Sequence, residues 1–254
     1  MEKIRNPFEG IWNIVRFNWH FYVLSFIVVC VLAIAKTNMP HSLQWLAVII
    51  CIYTVAVTCI SLLVSFYIYD LAGLYNLSWL EQTGIKTTGN LVNIHAGFDE
   101  TSHIIQQKYQ PKTLTVFDFY DPQKHTELSI KRARKTYPPF PKTLPVETLH
   151  LPLANGFADT IFLIFAAHEI RDNEERIIFF KELNRTLDAA GNIVVTEHLR
   201  NLPNFLAYNV GFFHFLSRRV WYSTFKNADL CLKQEIKITP FITTFILCKN
   251  GNTA

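Results

Sequence analysis

The chain has 254 residues, a formal net charge of +4, and 50% hydrophobic residues. That is enough for one ordinary globular domain with a small appendage. Its five cysteines form no CxxC pair and show no His/Cys ligand spacing, so neither a disulfide framework nor a metal site is expected. The basic residues lack interleaved stacking aromatics, so nucleic acid is not an expected partner.

In chain order, two apolar runs come first. No charged side chain lies between Arg16 and Lys36, and none between Lys36 and Asp70. The first gap, residues 17–35, approaches the ~20 residues needed to cross a ~30 Å hydrocarbon core. The second is longer and calls for tilt or an interfacial extension. A cleavable signal peptide would have a shorter apolar core and a small-residue cleavage site. Here the polar turn Lys36-Thr37-Asn38-Met39-Pro40 is followed at once by the second run. Residues 1–69 are therefore expected to form a membrane hairpin, with spans at about 17–36 and 43–69. Lys3, Arg5 and Arg16 precede the first span, which places the N-terminus and the remainder of the chain on the cytoplasmic side of an inner membrane. Cys30, Cys51 and Cys59 fall in the apolar runs, and Cys231 and Cys248 read as isolated.

Residues 70–90 form a junction. Tyr75 and Trp79 suit an interfacial position, and Leu74, Tyr75 and Trp79 supply apolar surface that can wall a pocket. From residue 91 strand and helix patterns alternate: strand 91–95, helix 100–109, strand 113–119, helix 126–135, an extended run at 146–149, a nearly all-apolar strand 160–167, helix 174–187 capped by Gly191, and strand 192–196. Stretches 235–239 and 242–248 make a hairpin-like pair. Such alternation predicts a doubly wound, mostly parallel α/β sheet, whose ligands bind beyond the carboxyl ends of its strands. The first strand ends at His95-Ala96-Gly97-Phe98-Asp99 and the second at Asp118-Phe119, where an acid can take both ribose hydroxyls.

Three later motifs carry a resemblance. Glu147-Thr148-Leu149-His150-Leu151-Pro152-Leu153, then Gly156-Phe157-Ala158-Asp159, then Arg185-Thr186-Leu187-Asp188-Ala189-Ala190-Gly191 closely resemble class I S-adenosylmethionine-dependent methyltransferases. They look most like the ubiquinone/menaquinone-type small-molecule branch. The likeness spans about residues 90–250 and implies a seven-stranded Rossmann-like domain at 91–250 that binds S-adenosyl-L-methionine. It places His95, Ala96 and Gly97 in the turn beside the methionine part of the cofactor, with Asp99 available to its ammonium. Asp118 and Phe119 fall at the ribose, Glu147 and Thr148 at the adenine, and Phe165 and Ala166 beneath the sulfonium. The family's Asp/Glu-x-Gly-x-Gly-x-Gly motif is reduced here to Asn93-Ile94-His95-Ala96-Gly97-Phe98-Asp99, with two glycines and the acid absent.

Methyl transfer needs positioning and, for a hydroxyl acceptor, a base. Candidates follow the fourth and fifth strands: His168 and Glu169, then Glu197 and His198. Of these His168 leads. His214 is a second candidate for contact with the acceptor, within the aromatic stretch 205–216, which reads as an acceptor pocket, a bilayer-touching lid or a packed helix. Lys131, Arg132, Arg134 and Lys135 read as a solvated helix face. Taken together, the expectation is a membrane-anchored methyltransferase acting on a lipophilic small molecule, with the bilayer as partner. The rival class is a non-catalytic membrane-tethered scaffold.

Overall fold

The structure is a computed structural model that describes residues 5–251; Lys3, one of the orienting charges, lies outside them. The charge-free runs become α1 (Glu9–Ala35) and α2 (His41–Phe66), joined through Lys36–Asn38. By length and composition both are apolar enough to cross a membrane. The first is not straight. Asn18 leaves helical geometry at φ −114° and ψ 17°, and its side-chain amide donates to the Ile14 carbonyl at 3.1 Å. Before this kink, Phe17 is buried against Phe98 and Tyr137. Beyond it, Phe21, Phe26 and Ile34 are exposed.

The base of the hairpin is tied to the chain that follows it. After α2 a π-type turn, Tyr67–Leu71, brings in Asp70. Its carboxylate accepts from the Gly10 and Ile11 amides at 2.9 and 2.8 Å, a negative charge on the orphan donors of a helix N-terminus. The contact demands glycine at position 10, because a Cβ there would lie 2.5 Å from the Tyr69 Cβ.

The strands are β1 (Asn90–His95), β2 (Thr113–Asp118), β3 (Leu144–Pro145), β4 (Ala158–Ile164), β5 (Leu187–His198), β6 (Leu230–Lys237) and β7 (Ile242–Lys249). They form one sheet in the order β3-β2-β1-β4-β5-β7-β6. The pairs are parallel from β3 through β5, and β7 is antiparallel to both β5 and β6. The order reverses between β1 and β4, so a crevice opens beyond their carboxyl ends. The helices are α3 (Ser102–Tyr109), α4 (Leu128–Thr136), α5 (Asn173–Thr186), α6 (Leu202–Tyr208) and α7 (Arg218–Asn227). One sheet face is covered by Phe179, Phe180 and Leu183 of α5 with Trp221 and Phe225 of α7. The other is covered by Ile104 and Ile105 of α3 with Leu74, Leu77 and Leu80 of the junction. The junction thus serves as a layer of the core.

Several local readings are corrected. Gly191 does not cap α5: the helix closes at Leu187 and Gly191 lies inside β5. A Cβ there would sit 2.8 Å from Leu187 Cδ1 and 3.0 Å from the Ala158 carbonyl, so close strand packing explains the residue. The third strand precedes the expected extended run at 146–149. Leu144 and Pro145 pair with Phe117 and Asp118, and the chain then turns back through a Glu147–His150 bridge. β4 stops at Ile164 because Phe165 takes φ 52°, a left-handed backbone that a bulky residue adopts only under tertiary constraint. Cys231 and Cys248 are not isolated. They face each other across β6 and β7 as a disulfide, with Cα atoms 5.4 Å apart; hairpin register closes a sequence separation of 17.

Candidate active site

Two groups of polar side chains meet at the reversal of strand order. The first lies beyond β1 and β2. Gly97 has φ +96°, which only glycine adopts freely, and its amide donates to His95 Nδ1 at 3.2 Å. Burial holds the His95 imidazole below its usual pKa against the opposing pull of Asp99 and Asp118, so it is neutral, with its proton on Nε2. That Nε2 has no hydrogen-bond partner among the described residues, and neither has Asp99 Oδ2. The other Asp99 oxygen caps α3, accepting from the Thr101 and Ser102 amides at 3.0 and 2.9 Å. Asp118 accepts from the Tyr120 amide at 3.0 Å and pairs with Arg134, whose guanidinium also lies over the Tyr120 ring at 4.3 Å.

The second group lies beyond β4 and β5. A 3₁₀ turn, Ala167–Glu169, carries His168 and Glu169 into the crevice. His168 Nδ1 is 2.7 Å from Glu197, which is 1% exposed, and its Nε2 is 3.3 Å from Glu169. His214, from the 3₁₀ segment Asn209–His214, sets Nε2 3.6 Å from Glu169 and Nδ1 2.8 Å from Glu127. Desolvation opposes a charge on His168, but Glu197 and Glu169 outweigh it and raise its pKa to about 10. Glu169 is buried, yet bonding to both imidazoles holds it well below the usual carboxylate range. His198 differs: burial lowers it to about 3. Its Nδ1 is 3.1 Å from the Asn204 side-chain oxygen and its Nε2 is 2.9 Å from the Tyr69 hydroxyl.

Three cavities converge on Phe165 and His168. One of ≈ 120 Å³ reaches His95, Ala96 and Thr101. A second, ≈ 230 Å³, passes beneath α1 at Gly10, Asn13 and Phe17. The largest, ≈ 530 Å³, runs between the hairpin and the domain, lined by Tyr22, Val57 and Ser65 on one side and Tyr208, Val210 and Phe215 on the other. A separate pocket of ≈ 60 Å³ joins His95, Gly97, Asp99, Asp118 and Arg134. Helix α1 contributes to both larger cavities and α2 to the largest, while neither helix lines the two smaller ones. Of the junction residues, Tyr75 borders the smallest of the three convergent cavities, while Leu74 and Trp79 pack into the core.

Of the expected cofactor residues, His95, Ala96, Gly97, Asp99, Asp118 and Phe165 line these spaces. Phe119 and Ala166 lie in the core. Glu147 is exposed, and Thr148 donates to Glu175. The two catalytic candidates, His168 and His214, come together with ring centroids 5.0 Å apart. Sequence reasoning missed Glu127, whose position just before α4 carries no signal. It also placed Arg132 and Arg134 on a solvated face; Arg132 instead reaches the Phe17 carbonyl and His20 of α1.

No family model and no curated protein matches the sequence. Solved structures do match in shape. An S-adenosylmethionine-dependent methyltransferase from Clostridium acetobutylicum aligns over 70% of this chain and 91% of its own, with TM-score 0.50 and 9% identity. The PH0226 protein of Pyrococcus horikoshii covers 68% of this chain and 88% of its own, with TM-score 0.51 and 13% identity. The fold is that of the class I S-adenosylmethionine-dependent methyltransferases. A third similar structure is the geranyl diphosphate C-methyltransferase of Streptomyces coelicolor in complex with Mg²⁺, geranyl diphosphate and S-adenosyl-L-homocysteine, at TM-score 0.50 and 12% identity over 70% of this chain and 79% of that one.

The residues present fit the cofactor of this fold. A buried carboxylate oxygen on Asp99 and the buried Nε2 of His95 lie 3.9 Å apart and neither makes a hydrogen bond among the described residues, a pair complementary to the ammonium and carboxylate of an amino-acid moiety. Asp118 stands at the end of β2, paired with Arg134, whose side chain is 38% exposed.

Proposed function

We propose that this protein is a membrane-anchored S-adenosylmethionine-dependent methyltransferase acting on a lipophilic small molecule, a quinone-like or phenolic ring, a polyene-type chain or a lipid headgroup. The observation that carries the reading is the ≈ 530 Å³ cavity between hairpin and domain. Its surface is mainly apolar, with the hydroxyls of Ser25, Thr58, Ser61 and Ser65 on the hairpin side, and it ends on His168, so it suits an acceptor with an apolar body and a polar reactive end. Beside it, Leu206, Val210 and Phe213 are 60%, 81% and 64% exposed. Tyr53 of α2 donates to Asn209 at 2.9 Å, which sets this apolar segment alongside the hairpin. Arg5 and Arg16 before the span favour the cytoplasmic side for the domain.

When bound, S-adenosylmethionine supplies an electrophilic methyl group. Asp99 and His95 hold its amino-acid end and Asp118 its ribose. Glu197 fixes the His168 ring through Nδ1, so Nε2 turns to Glu169 at the end of the cavity. Phe165, Tyr69 and Phe98 exclude water from the reacting atoms. The proton of an O–H or N–H acceptor would leave through His214 and Glu127, which lead toward the rim of the cavity.

The test uses the full chain in nanodiscs with methyl-labelled S-adenosylmethionine and a lipid extract of the native membrane. Label should enter the organic phase. Cofactor binding without organic-soluble label would sink the lipophilic acceptor, and absence of cofactor binding would leave the scaffold reading in its place.

A further inference from the structure

We propose that His168, Glu169 and His214 form a binding site for a divalent transition-metal ion at the closed end of the acceptor cavity. Among the described residues, one ligand atom from each of the three lies within 4.8 Å of the others. Glu169 is central, with its Oε1 3.3 Å from His168 Nε2 and 3.6 Å from His214 Nε2. Donors bound to one metal at about 2.0–2.2 Å stand roughly 3–3.5 Å apart, so both separations suit a shared ion after a small inward turn of His214.

The surrounding shell is an independent observation. Each imidazole has Nδ1 on a second carboxylate, His168 on Glu197 at 2.7 Å and His214 on Glu127 at 2.8 Å. That leaves both Nε2 atoms directed at Glu169. Carboxylate-backed imidazoles are the usual outer shell of metal-ligating histidine, fixing tautomer and raising ligand basicity. Two nitrogens with one carboxylate favour Zn²⁺, Fe²⁺ or Mn²⁺ over Mg²⁺ or Ca²⁺.

One contact competes. Arg171 donates to the His214 carbonyl and lies against its ring. At 43% exposure it can turn outward. The ion's open positions face the apolar cavity that His168 and His214 both line. There it would take one or two oxygens of the acceptor and lower the pKa of a bound hydroxyl. That last step rests on the methyltransferase reading; metal binding itself does not.

The experiment titrates tag-free, chelator-stripped full-length protein in detergent with Co²⁺, read by its visible absorption, and then with competing Zn²⁺. One equivalent should bind, displaced by Zn²⁺. His214→Gln and Glu169→Gln should each weaken binding at least about tenfold, and Glu197→Gln about 10- to 100-fold. Arg171→Gln should tighten it. Unchanged thermal unfolding of His214→Gln, whose residue is partly exposed, separates ligand loss from misfolding. Wild-type protein that binds no more Co²⁺ than His214→Gln overturns the site. Parallel titration with S-adenosylmethionine keeps the readings apart: cofactor binding without metal removes only this proposal, and metal without cofactor removes only the methyltransferase.

Discussion

The two halves of the crevice are built to different standards. Beyond β1 and β2, the cofactor half keeps one glycine of the motif, its acid is paired with Arg134, and its spaces measure ≈ 120 and ≈ 60 Å³. Beyond β4 and β5, the acceptor half gathers two imidazoles and three carboxylates, and the hairpin adds a wall and the ≈ 530 Å³ cavity. Both halves rest on the same sheet, so the difference lies in what was placed at the strand ends. On the proposed function, the more elaborate half is the one that would meet the acceptor.

Four changes test that division. The largest effect is expected from His168→Ala, which should slow methyl transfer on the order of 10²–10⁴-fold while S-adenosylmethionine affinity by calorimetry stays within about threefold. A parallel loss of cofactor affinity would show that the halves are not separable. Next, Asp99→Asn keeps the oxygen that caps α3 but removes the charge offered to the cofactor. A charge-assisted bond contributes about 1.5–3 kcal/mol, so affinity should fall about tenfold or more with the melting temperature little changed. Equal affinity would move the amino-acid end elsewhere.

A smaller effect probes the tie between hairpin and domain. Asp70→Ala leaves the Gly10 and Ile11 amides without their acceptor. Losing such a cap costs about 0.5–2 kcal/mol, or a few degrees of melting temperature for a chain of this size. Turnover of the acceptor should fall more than cofactor binding, because α1 walls only the acceptor cavities; an equal fall in both would place α1 in the cofactor half as well. The smallest change, and one of opposite sign, is Arg134→Gln. It frees Asp118 from a half-exposed partner and should tighten cofactor binding by about threefold, the modest value of a solvent-screened pair. Weaker binding would make Arg134 a cofactor ligand and the cofactor half less reduced than its motif suggests.

Periodicity and local chemistry were enough to read the alternation of strands and helices, the two long apolar runs and the doubly wound class. Those depend on neighbours along the chain: the apolar run at 161–164 reads as a strand buried on both faces, and Asp172 caps α5 by bonding the Glu175 amide three residues on. Strand-end positions followed from the same pattern, which is why His95, Gly97, Asp99 and Asp118 were nameable as candidates.

What depends on residues distant in sequence was not legible. Glu127 meets His214 across 87 residues, Asp70 meets Gly10 across 60, and Cys231 meets Cys248 through hairpin register. No local preference encodes those distances; the sheet order does. The hairpin shows the limit most clearly. Its apolar length could be read directly, but Asn18, where α1 kinks, is an ordinary polar residue in the sequence. Only packing against α4 and Tyr137 decided that the part before the kink would wall the acceptor cavities.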